Sequence, residues 1–424
     1  MGMLKNSNIA WIGEIPESWE IDRVKHHFVR QNEKAHQDNP TILSLARSGV
    51  KVRDISNNEG QMAESYYDYN PVKVGDLLLN PMDLYSGANC NVSLVEGVIS
   101  PAYINLRHIS DECPRFFDYY FKTQYWAMAL FAHGKGISFD NRWTLGTDTL
   151  FNYYVPLPSP QEQKAIADFL DKKCAEIDKM IALQEKIIEE LKAYKQSVIT
   201  EAVTKGLNPD APMKDSGVEW VGYIPEQWTV VRLKNIFLLK TGTTPNNFDK
   251  VQIDEPVNWY TPSDILDEGT LLEASARKLD ATIIENEGIH LFPKHSIMFV
   301  GIGASAGKIG FTKTEGYSNQ QITALIPQNC NSKYYYYFLT ADRKRLRDNA
   351  FFTTLPIINN SYLSQDKVLF PPMEEQDNIA EFLDTKCSEI DSLVSIKLSK
   401  IDSLKEYKKS IIYEYVTGKK EVEA

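Results

Sequence analysis

From Pro160 to about Thr204 the apolar residues step by three and four: Ile166, Leu170, Ile177, Met180, Ile187, Leu191, Tyr194 and Val198. Moved on by 213 residues, the steps land on Ile379, Leu383, Ile390, Leu393, Lys400, Leu404, Tyr407 and Ile411. Seven of these eight positions are apolar in both stretches. Such a stripe, without internal Gly or Pro, predicts a long amphipathic helix with a narrow seam. About 45 residues at 1.5 Å rise make roughly 65–70 Å. Pro158 and Pro160, and Pro371 and Pro372, stand at the starts, and Gly206 and Gly418 follow the last turns, as helix punctuation requires. A lone helix of that length would leave its stripe wet. The two are therefore expected to pair within the chain as an antiparallel coiled coil. Lys173 and Lys386 share one register and read as polar seam positions. As an intrachain spacer the pair needs no partner; as a docking surface it would offer two equivalent sites, hence two copies of a partner.

The rest of the chain alternates differently. Short β-type runs fall at 10–11, 73–79, 91–95, 98–106, 296–300, 308–312 and 321–326, and aromatic-rich helical runs at 115–131 and 332–347. Aromatics at that spacing, such as Tyr334-Tyr-Tyr-Tyr-Phe338 beside Phe116-Phe-Asp-Tyr-Tyr-Phe121, read as core.

The repeat extends beyond the helices. Trp11-Ile-Gly-Glu-Ile-Pro-Glu-Ser-Trp19 returns 209 residues later as Trp220-Val-Gly-Tyr-Ile-Pro-Glu-Gln-Trp228. Pro160-Gln-Glu-Gln163 and Met373-Glu-Glu-Gln376 open two further matching blocks. The stretches between, roughly 21–155 and 230–368, look unrelated. A period near 210 residues is too long for a solenoid. It implies a duplicated domain plus helix under a pseudo-two-fold, one scaffold carrying two different readers.

At 43% hydrophobic and 24% charged, the chain has the make-up of a protein with real cores. No apolar run reaches the length of a membrane span, the start lacks a signal-peptide core, and five cysteines without a CxxC pair suggest neither zinc nor a disulfide framework. A cytoplasmic protein is expected. The net charge of −11 argues against simple coating of nucleic acid, but 13 Lys/Arg meet 15 Asp/Glu in 21–155, and 15 meet 14 in 230–367. The variable stretches are nearly neutral, and DNA needs a local basic face, not a basic total.

Several loops combine small, polar and basic residues suited to a phosphate backbone and base edges. They supply Ser44, Arg47, Ser48, Lys51 and Arg53; Lys135, Ser138 and Arg142; Thr241, Thr243 and Thr244; Ser305 and Lys308; and Asn319 and Gln320. Arg343, Arg345 and Arg347, with Lys344, form the densest basic cluster. Catalytic patterns fail. Gly301-Ile-Gly-Ala-Ser-Ala306 precedes strand-like residues, with no acid about 20 positions on, as a dinucleotide site would need. Asn80-Pro-Met-Asp83 is not the Asn/Asp-Pro-Pro-Tyr/Phe tetrapeptide of amino-methyltransferases. A noncatalytic protein without cofactor or metal is expected.

Taken together, the twice-used Trp-x-Gly-x-Ile-Pro-x-x-Trp phrase and the Glu-Gln-x-x-Ile-Ala-x-Phe-Leu-Asp openings at 162–171 and 375–384 resemble the specificity subunits of type I restriction–modification systems. Thr241-Gly-Thr-Thr-Pro245 and Gly97-Val-Ile-Ser-Pro-Ala-Tyr103 look like phrases of that family's target-recognition domains. The resemblance implies an α+β chain: recognition domains at 1–158 and 218–371, long helices at 159–206 and 372–418, a linker at 207–217 and a tail at 419–424. It further implies a split double-stranded DNA site, one half per domain, two docked methyltransferase subunits carrying S-adenosylmethionine and the adenine chemistry, and attached restriction subunits. The rival reading is a bivalent protein-binding scaffold that never touches DNA.

Overall fold

In a computed structural model, residues 3–55, 63–136, 143–246, 253–287, 289–349, 351–352 and 356–422 are described. They divide into two compact units, Met1–Glu185 with Leu398–Ala424, and Lys186–Lys397.

In the first unit a four-stranded antiparallel sheet runs in the order Phe28–Arg30, Ile104–His108, Leu77–Leu79, Cys90–Val92. In the second, Phe237–Thr241, Ile322–Pro327, Ile297–Val300 and Ile309–Thr312 follow in the same order, and Thr270–Leu272 adds a parallel edge. The variable stretches thus share a topology that their sequences hide. Central strands Leu77–Leu79 and Ile297–Val300 are buried at every position, which explains their unbroken apolar runs. One aromatic helix covers each sheet, Pro114–Trp126 and Ser332–Asp348. Phe117 meets Phe28 edge-on at 5.0 Å between ring centres, and Tyr335 meets Phe237 likewise at 5.4 Å.

Some expected strands change. Residues 10–11 form a turn, and the strand follows at Glu14–Pro16. The run at 73–79 keeps only Leu77–Leu79, because Asp76 accepts the Lys73 N–H and closes a turn. The run at 98–106 splits into Gly97–Ile99 and Ile104–His108. The helix expected over 115–131 breaks where Met128 takes a left-handed φ of 58°.

The long helices span Pro160–Lys205 and Met373–Val416. Within the first unit, Phe169 lies 4.4 Å from Tyr415 between ring centres and Asp178 pairs with Lys408 at 2.7 Å. Numbers rise along one helix as they fall along the other, so these segments are antiparallel. Within the second unit Lys195 pairs with Asp391 at 2.7 Å, the same contact moved by 213 residues. The seam departs from the sequence reading. Ile188 and Ile199 are buried where Ile187 and Val198 are not, and Met180, Tyr194, Leu393 and Tyr407 are exposed. A 3.6-residue helix drifts off a fixed 3/4 stripe, and the domains cover the helix ends. Lys173 and Lys386 are not seam residues. Both are half-exposed, paired to Glu176 and Glu389 at 2.9 Å three positions on.

Candidate nucleic-acid interface

The two repeated phrases meet each other. Trp19, buried, donates its indole N–H to Glu162 at 2.9 Å, and Trp228 donates to Glu375 at 2.7 Å. The neighbouring glutamines are buried and doubly used. Gln163 accepts the Cys113 N–H at 2.9 Å and donates to the Pro158 carbonyl at 3.0 Å. Gln376 does the same with Asn331 and Pro371, at 2.9 Å each. Two turns further, Tyr119 donates to Asp171 and Tyr337 to Asp384, both at 2.6 Å. Burial pushes both phenols well above their ordinary range, so they remain donors. Arg115 and Lys333 add ion pairs to the same carboxylates, at 2.7 and 3.1 Å. Each aromatic helix is thus tied to the first turns of its long helix by the same set of bonds. The far helix end is fitted by a glycine: a Cβ on Gly418, whose φ is 68°, would strike Pro16.

Loops at one end of the second sheet converge. Asn360 donates to the Thr241 hydroxyl at 2.7 Å and accepts from Thr323 at 2.6 Å. Thr243 N–H donates to the Ser318 carbonyl at 2.8 Å, and Thr244 donates to Gln320. Gly242 permits this approach, since any Cβ would collide with the Ser318 and Asn319 carbonyl oxygens. Asn319 donates to Gln321 at 3.0 Å. Ile358 N–H donates to Gly301 and Gly303 N–H to Pro356, at 2.8 and 3.1 Å, which brings a third loop alongside. Thr241, Thr243, Thr244, Asn319 and Gln320 therefore form one polar edge. Asn360, which knits it, has no sequence signal.

Ser305 and Lys308 belong to a turn that faces the aromatic helix. Lys308 and Arg343 both approach Asp267, at 3.8 and 3.7 Å. Arg343, Lys344 and Arg347 line a groove of about 810 Å³ with Lys192, Lys195 and Asp391. Arg345 points elsewhere, bound to Asp342 and, at 2.7 Å, to Asp366. Burial opposes its charge, but the two carboxylates outweigh that and raise its basicity. The basic run is therefore not one face.

In the first unit, Ser44, Arg47, Ser48 and Lys51 occupy the hairpin of Leu43–Ala46 and Gly49–Val52, with Arg53 just beyond it. The Ser44 hydroxyl donates to the Lys51 carbonyl at 3.5 Å. Arg47 and Ser48, at the exposed tip, line a groove of about 650 Å³ with Arg115, Lys122, Asp178 and Lys408. Lys135 is exposed in a two-residue bridge to Thr144. Ser138 and Arg142 lie outside the described residues. Among the described residues no His, Cys, Asp and Glu group is arranged to hold a metal ion, and no helix is long and apolar enough to cross a membrane.

Known proteins resemble this chain in sequence and in fold. The sequence profile of the type I restriction modification DNA specificity domain matches residues 98–193 and 225–401. The type I restriction enzyme MjaVIII specificity subunit of Methanocaldococcus jannaschii is 25% identical over 440 residues, covering 96% of this chain and 93% of its own. The EcoBI specificity subunit of Escherichia coli is 29% identical over 250 residues, covering 55% and 49%. Among solved structures, a chain from work on complex assembly and conformational transition of the type I R-M system superposes with a TM-score of 0.71 at 14% identity, over 95% of this chain and 98% of that one. The HsdS subunit of Thermoanaerobacter tengcongensis gives 0.53 at 14% identity, over the same shares. These two likenesses concern the fold. With the duplicated frame, its two unlike loop sets and a family profile covering most of its length, the chain belongs to the type I restriction–modification DNA specificity family, as a noncatalytic specificity subunit.

Proposed function

We propose that this chain reads a bipartite double-stranded DNA site, one half per recognition domain, and holds two methyltransferase subunits on its helices. The observation that carries this reading is the repeated junction. The bonds Trp19–Glu162, Gln163–Cys113 and Tyr119–Asp171 recur as Trp228–Glu375, Gln376–Asn331 and Tyr337–Asp384, yet the loops carried by each junction differ. An identical frame suits two copies of one partner; different loops suit two different half-sites. The recognition domains are 1–158 and 218–371, the frame 159–206 and 372–418, the linker 207–217 and the tail 419–424. Arg47, Ser48, Lys51, Arg53 and Lys135 serve the first half-site. Thr241, Thr243, Thr244, Asn319 and Gln320 serve the second, with Lys344 and Arg347 on phosphate. Restriction subunits join the same assembly, in the cytoplasm beside the chromosome.

The test is to express the chain with its methyltransferase partner in a host and sequence the methylated adenines. The expected result is a split motif with an unspecified gap of fixed length. A contiguous motif contradicts the two-reader model. No motif, with partners still bound, returns the chain to a protein-binding scaffold.

A further inference from the structure

Tyr85 stands on the connection between strands Leu77–Leu79 and Cys90–Val92 and is 76% exposed. An aromatic ring in water is unremarkable on a loose loop, but this loop is braced. Asp83 accepts the Ser86 N–H at 3.1 Å and the Asn89 side-chain amide at 3.0 Å, and also bonds the Ser86 hydroxyl. Asn80 accepts the Met82 N–H at 3.0 Å, and Tyr125 donates to the Asn80 carbonyl at 2.8 Å. Leu145 N–H donates to the Pro81 carbonyl at 2.9 Å. Leu84, next to Tyr85, is buried at 2% exposure and anchors the tip. The ordering cost of presenting the ring is therefore already met by the fold, which favours binding.

The ring is also the outer end of an aromatic row. Tyr85 lies 6.2 Å from Phe131, and Phe131 5.6 Å from Trp143, between ring centres. Met82, 48% exposed, stands beside it in the same loop. Two cations stand near the loop. The Arg47 side chain runs over Gly87, and Lys135 follows Gly134, which is packed under Leu84 and Trp143. Unlike Arg345 and Arg343, neither Arg47 nor Lys135 has a carboxylate partner among the described residues. An exposed aromatic ring on a braced loop, with two unneutralised cations nearby, fits a nucleic acid, where phosphates flank stackable bases. A protein-docking patch of this size would not need its cations left unpaired.

We propose that Tyr85 is a stacking wedge of the first recognition domain, seated against a base step of its half-site, with Arg47 and Lys135 on the neighbouring phosphates. The inference rests on the DNA-reading function proposed above. The experiment uses the chain co-purified with its methyltransferase partner and a duplex carrying the motif found by methylation mapping. 2-Aminopurine is placed in turn at each position of the first half-site. Tyr85→Ala is expected to weaken binding by roughly 5- to 150-fold, the span for one stacked base, and to abolish a fluorescence change confined to one step. Tyr85→Phe keeps both. Unchanged affinity and fluorescence in Tyr85→Ala, with the wild type binding normally, overturns the wedge alone. Loss of methyltransferase subunits from the variant, at unchanged DNA affinity per intact complex, also overturns it and makes Tyr85 a protein contact. Failure of the wild type to bind the mapped duplex removes the DNA-reading function and the wedge with it.

Discussion

Gln163→Ala should open the first junction and leave the second intact. The Gln163 side chain is 1% exposed and serves one donor and one acceptor, the Cys113 N–H at 2.9 Å and the Pro158 carbonyl at 3.0 Å. Alanine reaches neither. Each orphaned buried group costs about 1–3 kcal/mol, so the loss is roughly 2–6 kcal/mol. Gln376→Ala should cost a similar amount, because its two bonds, at 2.9 Å each, and its burial match. Denaturant unfolding gives the magnitude, and hydrogen exchange gives the place. In Gln163→Ala the amides of Pro114–Trp126 should exchange faster while those of Ser332–Asp348 keep their protection. A cost under about 0.5 kcal/mol, within the range of an ordinary surface substitution, would refute the junction argument. Equal loss of protection in both helices would refute its locality.

Four further outcomes follow from particular residues and from the helices. Hydrogen bonds from the Thr282 hydroxyl and from the Glu255, Asp254 and Thr282 main-chain N–H groups hold the Asp280 carboxyl well below its usual range. Its stabilising effect is therefore present above about pH 4, the ordinary carboxylate value, and fades as pH falls further. Asp280→Asn should flatten the stability loss between about pH 4 and pH 2, measured by denaturant titration at each pH. Arg345→Ala should destabilise by about 3 kcal/mol, the low end for orphaning a buried charge, because a quarter of Arg345 is open to water. Lys344→Ala with Arg347→Ala should spare stability and reduce the salt dependence of DNA binding by about 0.9 in log–log slope per lost phosphate contact. Inserting four residues near both Gln184 and Lys397 adds about 6 Å of helix, close to two base pairs at about 3.4 Å. Methylation mapping should show a changed gap with both half-sites kept.

The frame was legible in the sequence because its contacts are made by residue types that stand out: tryptophans, a buried glutamine and a 213-residue echo of apolar steps. Their partners were not legible. Gln163 reaches back 50 residues to Cys113, and Trp19 forward 143 residues to Glu162. The common sheet order was hidden for a similar reason. Strands of three or four residues such as Leu77–Leu79 and Ile297–Val300 are too short for alternation to declare, and their order is fixed by pairings across the chain. Among site residues, the convergence of Thr241, Thr244 and Gln320 depends on Gly242 and Asn360, and nothing local to Asn360 announces it. Arg345 looked like its neighbours in the basic run. Its separate role comes from Asp366, 21 positions away. Tyr85 has no sequence signal, because exposure and loop bracing are properties of the fold.

If two unlike readers ride on one repeated frame, exchange of residues 21–155 will separate them. The segment should be replaced by its counterpart from a specificity subunit of different target, keeping Trp19, Glu162 and Gln163 in place. Methylated adenines are then mapped in a host carrying the partner methyltransferase. The expected result is a new first half-site, with the second half-site and the gap unchanged. A change in both halves together, from a folded and active complex, would contradict it.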